Sequence, residues 1–414
     1  MKILHFADAH IDMANYGRHD PTTGLPLRVM DFLKSLDEIV DEAIAQEVDL
    51  VIFAGDAYKD RNPAPTYQRE WGKRIMRLSR AEISTILLVG NHDVSPALGR
   101  ANAINEFNTL EVPHVWVVDQ PSFLGPEKLA GLPIQIIAIP WISRSKMTAH
   151  LDLPTGDRKN IHAEMLSWLD EQIEDWIKAS REDLPLVFTA HASVEGAVFG
   201  GERSVMLGND LILPISMVRN PKIDYVALGH IHKAQNLTKD IKDSSQDAPP
   251  VVYPGSIERV DFGEAEDKKY FAIVDVSCDR SKVTWHELQS IRKFVDQSIH
   301  LENAEGISDQ LKSALPEKPS IGNAIVRLTV YYPREWEAMI TEAEIREYAS
   351  DAFEFQLIKR PQFETRVRLD DSQLAGSLTQ LELLDLYWEV NKIGIEESKE
   401  LSKMAAEIIS EQKE

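Results

Sequence analysis

The sequence predicts an α/β fold of layered sheets and helices, and three observations support this. Short apolar runs recur through the first 230 residues, and continuous apolar runs of this length are typical of buried strands. Amphipathic segments of helical period lie between some of them. Most of the runs end in Asp, Asn or His, which is typical of strands that carry functional side chains to one edge of a sheet. Strands that alternate with helices favour a layered α/β core.

Six apolar runs are each predicted to form a buried strand. In chain order they read KILHFAD, DLVIFAGD, STILLVGNHD, IQIIAIPW, PLVFTAHAS and DYVALGHIH. Two amphipathic helices are predicted between them. The segment DFLKSLDEIVDEAIAQ places Phe32, Leu36 and Ile39 on one face with acids opposite, and AEMLSWLDEQIEDWIKAS does the same with Leu169 and Ile173.

Residues 1–285 are predicted to form the first domain. Within it, the polar stretch 237–250 ends in two prolines and is predicted to be an exposed loop. Two further strands are predicted after that loop, in PVVYPGSIERVDFG and KKYFAIVDV. They bring the domain to its end near Trp285.

Two smaller modules are predicted to follow. Residues 286–362 contain a strand NAIVRLTVYY, a helix EAEIREYAS and a strand AFEFQLIKR, which is the order of a small βαβ-like unit. Residues 363–414 hold two helical segments parted near Gly394. The first segment carries Tyr387 and Trp388 on an apolar surface that is large for a terminal helix. Such a helix pair either covers the protein's own core or binds a partner.

Composition and charge exclude several classes of protein. The 414 residues carry a formal net charge of −22, which argues against general adhesion to nucleic acid, although bound cations can reverse the sign at one site. The single cysteine, Cys278, excludes an internal disulfide and a thiolate zinc site. The N-terminus is too polar for a signal peptide, and the apolar run 131–143 is too short to span a bilayer. We therefore expect a cytoplasmic protein with no membrane contact.

Five of the six predicted strands end in a group of polar, metal-binding residue types. These residues are Asp8, His10, Asp56, Asn91, His92, Asp93, His191, His230 and His232. In open α/β sheets, sites are built at the carboxyl ends of the strands. Carboxylates, imidazoles and an amide oxygen suit divalent manganese, iron or zinc. Even without His92 and Asp93, the seven remaining residues are more ligands than one ion with an open position takes. They suit two ions that share a bridging carboxylate.

Each of these motifs alone has an ordinary explanation. Asp-x-His occurs by chance, Gly-Asn-His-Asp is favoured in turns, and His-x-His is common on surfaces and in cores. The joint pattern, in this order and after strands, favours a metal site. Two ions about 3.5–4 Å apart can activate a water molecule and bind the oxygens of a phosphate. Gly55, Gly90 and Gly229 allow tight turns close to such ions.

The motifs DAH at 8–10, GD ending at 56, GNHD at 90–93, His191 and GHIH at 229–232 resemble the signature blocks of calcineurin-like metallophosphoesterases. The resemblance implies the layered sandwich of that family and two divalent metal ions. It implies that one ion is bound by Asp8, His10, Asp56 and His232. It implies that the other is bound by Asp56, Asn91, His191 and His230, with Asp56 bridging the two.

The resemblance also assigns roles to the two residues that follow Asn91. His92 is expected to face the scissile phosphate, where it stabilises the transition state or protonates the leaving oxygen. Asp93 either orients His92 or its loop, or has a plain role in the turn.

Three features resemble the SbcD-type nuclease subunit in particular. The stretch YPGSIERVDFGE at 253–264 is similar to one block of that family, and GDAYKDRNPAP is similar to another, which commonly ends in Arg-x-Pro as Arg61 and Pro63 do here. The order of phosphoesterase domain, small capping domain and terminal helices is also similar. Some members carry a histidine, implicated in handling the DNA end, where this chain has Lys59. The departure puts exonuclease behaviour in doubt.

The resemblance implies a DNA exonuclease or endonuclease that acts in repair, recombination or end processing. It implies Mn²⁺ as the metal, while the ligand types also allow Mg²⁺, Fe²⁺ or Zn²⁺. It further implies a homodimer, a capping domain at 286–362 that binds DNA, and an SbcC-type, SMC-like ATPase that binds the terminal helices. The alternatives are another two-metal phosphodiesterase or phosphatase of the superfamily, acting on a nucleotide or phosphoprotein, and a scaffold with a vestigial metal site.

A basic stripe is a candidate DNA contact. Arg69, Lys73 and Arg77 fall on one face of a predicted helix that begins soon after Asp56, and Arg61 precedes them. A phosphate-binding surface near the metals is one interpretation. A solvated helix face is the other.

Overall fold

The computed structural model describes residues 1–16, 18–94, 100–143, 158–200, 211–238, 248–278, 281–362, 379–390 and 393–411. The chain divides into two compact units. The first comprises Met1–Val295 with Asn323–Ile325, and the second comprises Asp296–Gly322 with Val326–Glu414. The predicted domain bounds, 1–285, 286–362 and 363–414, stay predictions. Positions 239–247 of the predicted loop and 363–378 before the terminal helices lie outside the described residues.

The first unit is built on two six-stranded sheets. Its strands are β1 (Lys2–Phe6), β2 (Leu50–Phe53), β3 (Ser84–Leu88), β4 (Val115–Val118), β5 (Ser122–Leu124), β6 (Gln135–Ile139), β7 (Leu186–His191), β8 (Ser193–Val194), β9 (Ile212–Leu213), β10 (Tyr225–Gly229), β11 (Gln235–Asn236), β12 (Val251–Tyr253), β13 (Tyr270–Asp275) and β14 (Lys282–Glu287). One sheet has the order β14-β13-β1-β2-β3-β4 and the other β11-β12-β10-β7-β6-β5, while β8 pairs with β9. The six predicted strands are confirmed as β1, β2, β3, β6, β7 and β10.

Parallel pairing dominates the middle of both sheets. Strands β1 to β4 pair in parallel, and so do β12, β10, β7 and β6. Strand β13 joins β1, β5 joins β6 and β11 joins β12 in the antiparallel direction. Because parallel strands end at the same edge, residues that follow them in sequence come together in space.

Apolar layers hold this unit together. Ile52 and Ile86 of one sheet and Val187 and Ala227 of the other belong to a single buried cluster between the sheets. Helices α1 (Leu27–Ala45) and α2 (Pro65–Arg80) cover the outer face of the first sheet, and α4 (Arg158–Ala179) covers that of the second. Two short helices, α3 (Glu106–Thr109) and α5 (Ile215–Val218), complete the unit. The predicted layered α/β sandwich and both predicted amphipathic helices are confirmed.

The segment after the predicted loop differs from its prediction. PVVYPGSIERVDFG is a strand only at β12, and it continues as irregular backbone to a 3-10 helix at Phe262–Glu264. Pro254 has no N–H to donate to a sheet, and Gly255 has a φ of +83°, so the strand ends at Tyr253. The next predicted strand, in KKYFAIVDV, is confirmed as β13.

The second unit is built around a three-stranded sheet in the order β15-β16-β17. Its elements are β15 (Phe294–His300), α6 (Ile307–Ser313), α7 (Lys318–Ile321), β16 (Ile325–Pro333), a 3-10 helix (Arg334–Met339), α8 (Glu342–Tyr348), β17 (Glu354–Gln362), α9 (Gln380–Val390) and α10 (Ile395–Glu411). The predicted strand–helix–strand order is confirmed by β16, α8 and β17. The two predicted terminal helices are confirmed as α9 and α10. Among the described residues, no helix combines the length and apolar character needed to cross a membrane.

Candidate metal centre

The seven predicted metal ligands all lie at the carboxyl ends of parallel strands in the first unit. They follow or end β1 (Asp8, His10), β2 (Asp56), β3 (Asn91), β7 (His191) and β10 (His230, His232). Strands β1, β2 and β3 are neighbours in one sheet, and β7 and β10 are neighbours in the other. The two sheets therefore present these side chains at a common edge.

Three of these residues form one compact cluster. Ligand atoms of Asp8, His10 and His232 lie within 4.8 Å of one another. The Nε2 atoms of His10 and His232 are 3.2 Å apart, although 222 positions separate the two residues in the sequence. Asp8 and His10 are buried, so this group of donors lies at the base of the site.

A second cluster contains Asp56, His191 and His230, again with ligand atoms within 4.8 Å of one another. Asn91 belongs with it, because Asn91 Oδ1 lies 2.9 Å from His191 Nε2 and 3.0 Å from His230 Nδ1. Asp56 Oδ2 lies 3.3 Å from His191 Nε2 and 4.0 Å from Nε2 of His10, a member of the first cluster. Asp56 therefore stands between the two clusters.

Hydrogen bonds on the far side of two imidazoles decide which nitrogen faces the first cluster. Nδ1 of His10 donates to the carbonyl of Tyr58 at 3.2 Å, and Nδ1 of His232 donates to the carboxylate of Glu264 at 2.7 Å. In a neutral imidazole the other nitrogen, Nε2, then carries a lone pair. Two lone pairs facing each other at 3.2 Å repel, and a cation between them removes the repulsion. This donor set fits a divalent cation.

The backbone at the site is held in an unusual conformation. Asp8, His10, Asp56 and His230 all have positive φ values, of 51°, 40°, 64° and 97°. Residues other than glycine seldom adopt this region, and such strain persists at functional sites where the surrounding structure enforces it. At Gly90, a Cβ atom would lie 2.1 Å from Oδ1 of Asp56, which explains why a glycine precedes Asn91.

Comparison with known proteins identifies the family. The model of the calcineurin-like phosphoesterase family matches residues 1–234. This chain belongs to the calcineurin-like phosphoesterase family. It therefore shares a family with enzymes that use divalent metals, and its two His–Asp clusters are the candidate metal sites.

Similar proteins include a nuclease subunit, a DNA repair protein and an uncharacterized metallophosphoesterase. The chain is 27% identical over 249 residues to the SbcD subunit of the nuclease SbcCD of Rhodobacter capsulatus, a match that covers 57% of this chain and 59% of that protein. It is 24% identical over 344 residues to the DNA double-strand break repair protein Mre11 of Archaeoglobus fulgidus, covering 79% and 68%. It is 24% identical over 403 residues to the uncharacterized metallophosphoesterase YhaO of Bacillus subtilis, covering 92% and 84%.

Burial and mutual attraction set the charges within the phosphoesterase site. Burial raises the pKa of Asp8 to about 6, and burial together with the nearby Asp56 raises the pKa of Asp93 to about 7. Burial also acts to raise the pKa of Asp56, but the attraction and hydrogen bond of His191, together with attraction to His92 and His10, outweigh burial and hold that pKa well below its usual range. Burial lowers the pKa of His191, yet Asp56 more than offsets this and raises it to about 9. Crowded carboxylates of this kind concentrate negative charge where a cation can bind.

His92 and Asp93 lie beside the clusters and make different contacts. The His92 ring donates from Nδ1 to the carbonyl of Lys59 at 2.6 Å, and the His92 backbone N–H donates to Oδ1 of Asp56 at 2.8 Å. Asp93 is buried, and its carboxylate accepts backbone N–H bonds from Asp56 at 3.0 Å, Ala57 at 3.0 Å and Gly90 at 2.9 Å. Asp93 thus joins the loop after β2 to the loop after β3.

A cleft of about 880 Å³ opens beside His92. Its lining includes Lys59, Arg61 and Tyr67. Hydrogen bonds to Asp12 fix one wall of the cleft. The Asp12 carboxylate accepts the backbone N–H of Lys59 at 2.5 Å and that of Asp60 at 2.9 Å. Arg61 is the member of the predicted basic set that lines this cleft.

The other three predicted DNA contacts lie on α2 and are paired with acids. Arg69 and Lys73 both form ion pairs with Glu70, at 3.0 and 2.8 Å, and Arg77 pairs with Asp37 of α1 at 3.0 Å. The opposite face of α2 is buried, through Trp71, Ile75 and Leu78. Much of the positive charge of the stripe is therefore compensated within the protein.

Two side chains that were not predicted as site residues contact the predicted ligands. The Trp141 ring centroid lies 5.1 Å from that of His230 and 6.2 Å from that of His191. Trp141 follows β6, so the rule that found the ligands at the ends of the other strands would also have found it. Glu264 binds His232 from the short 3-10 helix Phe262–Glu264, for which the sequence carries no periodic signal.

Proposed function

We propose that this chain is a two-metal phosphodiesterase that cleaves DNA, as the nuclease subunit of an SbcCD-like complex in repair, recombination or end processing. The observation that carries the proposal is the convergence of two His–Asp clusters on Asp56, directly beside His92. Two joined cation sites with an adjacent proton donor suit the hydrolysis of a phosphate ester. The relatives named as SbcCD nuclease and Mre11 favour DNA as the ester.

The ligand roles are part of this proposal. Asp8, His10, Asp56 and His232 would hold one cation, and Asp56, Asn91, His191 and His230 the other. Mn²⁺ is the proposed ion, and Mg²⁺, Fe²⁺ and Zn²⁺ are alternatives that the donor types allow. When bound, two such cations lower the pKa of a water molecule and neutralise charge on phosphate oxygens. The Trp141 ring packs against the imidazoles of His191 and His230.

His92 is proposed to supply the acid. Its Nδ1 donates to the carbonyl of Lys59, so Nε2 is the nitrogen that gains and releases a proton. The protonated ring would donate from Nε2 to the leaving oxygen and stabilise the negative charge that develops there. Asp93 maintains the spacing between Asp56 and His92, because its three hydrogen bonds join their loops.

The cleft beside His92 is proposed to bind the nucleic acid. Its volume of about 880 Å³ exceeds the needs of a single nucleotide. Lys59 and Arg61 supply positive charge, and Tyr67 supplies an aromatic ring, a combination typical of surfaces that bind single strands. Asp12 and Asp60 also line the cleft and balance these two cations. In a protein with a net charge of −22, bound metal ions would therefore supply the net positive charge that attracts DNA to this site.

The terminal helices are proposed to bind an SbcC-type, SMC-like ATPase, and the chain is proposed to act as a homodimer. Helices α9 and α10 contact each other, and Tyr387 and Met404 on them are 46% and 58% exposed. Exposed apolar side chains on a helix are typical of partners that bind in a groove. The alternative is that the pair covers the protein's own core. Loss of co-purification with the ATPase in a Tyr387→Ala/Met404→Ala variant, with the fold retained, would support the partner interpretation.

A second candidate is a phosphodiesterase or phosphatase with a different substrate. It is favoured by one observation: the relative that this chain matches over 92% of its length is a metallophosphoesterase without an assigned substrate. This candidate uses the same two clusters and the same histidine. It differs only in what the cleft binds.

One comparison of substrates tests these candidates. The purified chain is incubated with Mn²⁺ and, in separate reactions, with linear duplex DNA, bis(p-nitrophenyl) phosphate or p-nitrophenyl phosphate. The His92→Ala variant is the control. We expect cleavage of DNA and of the diester but not of the monoester. Preference for the monoester would overturn the nuclease proposal in favour of a phosphatase. If the diester alone is cleaved, addition of an SbcC-type ATPase should restore DNA cleavage, and failure to do so would indicate a different diester.

A further inference from the structure

The segment 253–264 lies against His232 in a way that the proposed function does not use. Gly255 has a φ of +83°, and a Cβ atom there would lie 2.4 Å from the carbonyl oxygen of His232, so only glycine fits. The next backbone N–H, that of Ser256, donates to the same carbonyl at 3.1 Å. The segment is therefore packed onto the backbone of one candidate ligand.

The same segment also reaches the His232 side chain. Oε1 of Glu264 accepts the Nδ1–H of His232 at 2.7 Å, and Oε2 of Glu264 accepts the backbone N–H of Val260 at 2.9 Å. Glu264 is only 1% exposed. A carboxylate that is fixed on both oxygens cannot turn away from the imidazole, so it holds the ring in one orientation.

The buried ammonium group of Lys269 binds to the same residues. Nζ of Lys269 lies 2.7 Å from Oε2 of Glu264, 2.8 Å from Oγ of Ser256 and 3.3 Å from the carbonyl oxygen of His232. Lys269 is also 1% exposed. All three hydrogen bonds of the ammonium group are thus made to His232 and the two residues that touch it. Neither charge would be tolerated in such a buried place without the other.

We propose that Glu264 and Lys269 form a buried positioning pair for His232, which orients its Nε2 toward Asp8 and His10 and strengthens it as a metal ligand. The proposal rests on the proposed metal site. An imidazole that donates its far N–H to a carboxylate has a fixed tautomer and a more basic ligand nitrogen, and loss of such a partner typically weakens metal binding by about 10- to 100-fold. In the other cluster, His191 directs its Nδ1 to a neutral group instead, the backbone carbonyl of Ala54 at 2.7 Å.

A matched pair of double variants tests the proposal by Mn²⁺ titration calorimetry and metal stoichiometry. Glu264→Gln/Lys269→Met removes both charges together and so leaves no unpaired buried ion. Lys268→Met/Glu287→Gln removes an adjacent but exposed ion pair, 2.9 Å long, as the control. We expect two Mn²⁺ ions in the wild type and the control. In the first variant, we expect one of the two affinities to fall by about 10- to 100-fold while the other is retained.

The outcomes separate this proposal from the proposed function. If the wild type binds two ions and the folded first variant binds both with unchanged affinity, the positioning proposal is wrong. If the wild type binds no Mn²⁺, Mg²⁺, Fe²⁺ or Zn²⁺, the proposed metal site itself is wrong. Should the double variant fail to fold, Glu264→Asp keeps the charge beside Lys269 but shortens the reach to His232 by one methylene. It should weaken the same single ion, and unchanged binding would overturn the proposal.

Discussion

Oδ1 of Asp56 accepts the backbone N–H of His92 at 2.8 Å. The other oxygen, Oδ2, faces Nε2 of His191 at 3.3 Å and Nε2 of His10 at 4.0 Å. The two oxygens of one carboxylate thus have separate tasks: one holds the loop that carries the candidate acid, and the other lies between the two candidate metal clusters. Metal binding and placement of His92 are therefore coupled through Asp56.

Replacement of Asp56 should affect both clusters at once. Asp56→Ala removes the oxygen that lies between them, so we expect the chain to lose both bound ions and turnover to fall by at least about 100-fold. Metal content after dialysis, measured by mass spectrometry, checks the prediction. Asp41→Asn, which changes a carboxylate that is 64% exposed, is the control. Retention of two ions in Asp56→Ala would show that Asp56 does not bridge.

Replacement of His92 should separate metal binding from catalysis. We expect His92→Ala to keep both ions but to lower kcat on the diester by about 10²- to 10⁴-fold, because a positioned proton donor is removed. Steady-state kinetics on metal-loaded protein measures this, and His162→Ala on α4 controls for loss of a histidine. Normal turnover in His92→Ala would rule out an acid role for that residue.

Asp93 should contribute mainly to stability. Asp93→Ala leaves the buried N–H groups of Asp56, Ala57 and Gly90 without their acceptor, and each unsatisfied buried donor costs about 1–3 kcal/mol. We expect the free energy of unfolding in urea to fall by about 3 kcal/mol or more. Asp93→Asn, which keeps one acceptor oxygen, should lose less. Equal stability of the wild type and Asp93→Ala would contradict this account of the two loops.

Arg61 and Arg77 should differ in their effect on DNA binding. Arg61 lines the cleft beside His92, whereas Arg77 is already paired with Asp37 and Asp41. We expect Arg61→Ala to weaken binding and to reduce the slope of log affinity against log salt by about 1, and Arg77→Ala to change neither. Fluorescence anisotropy over a salt series measures both quantities. The opposite ranking would favour the helix stripe over the cleft.

A buried charge network at the start of α1 should be costly to break. Arg28 is fully buried and lies 3.0 Å from Asp31 and 3.8 Å from Glu258. Arg28→Met leaves the buried carboxylate of Glu258 without a cation, while Asp31 keeps its second partner, Arg292. We therefore expect a loss of about 3–5 kcal/mol in the free energy of unfolding. Lys178→Met, which breaks an exposed pair with Glu174, should cost far less, because water screens that pair. Denaturant unfolding of the two variants makes the comparison, and similar losses would refute it.

The strands that carry the site could be predicted because their signal is local. An apolar run such as that of β3 reads as a buried strand whatever surrounds it, and the polar residues from Asn91 to Asp93 mark its carboxyl end. The irregular path after β12 was not predicted as such, since apolar residues there suggested a longer strand. Pro254 and the positive φ of Gly255 overrode that preference.

The basic stripe on α2 shows a second limit of prediction from the sequence. Helical periodicity places Trp71 and Ile75 on the face of α2 opposite the basic stripe, and both are buried. It does not reveal that Asp37 and Asp41 of α1 lie beside Arg77, because those acids are 40 and 36 positions away in the chain. Helix periodicity describes one helix, whereas compensation of charge depends on the helix that packs against it.

The sequence by itself determined the layered α/β class and the seven donors at the ends of five strands, because strand burial and the direction of parallel strands follow from local patterns. The grouping of the donors around Asp56 followed from the sequence only through the family resemblance, and the tertiary structure brings those donors together. Only the tertiary structure decided that Glu264 and Lys269 contact His232 and its backbone. These relationships join residues from both sheets and from irregular segments, with separations of up to 224 positions, between Asp8 and His232. They depend on how the two sheets pack face to face, and no local pattern records that packing.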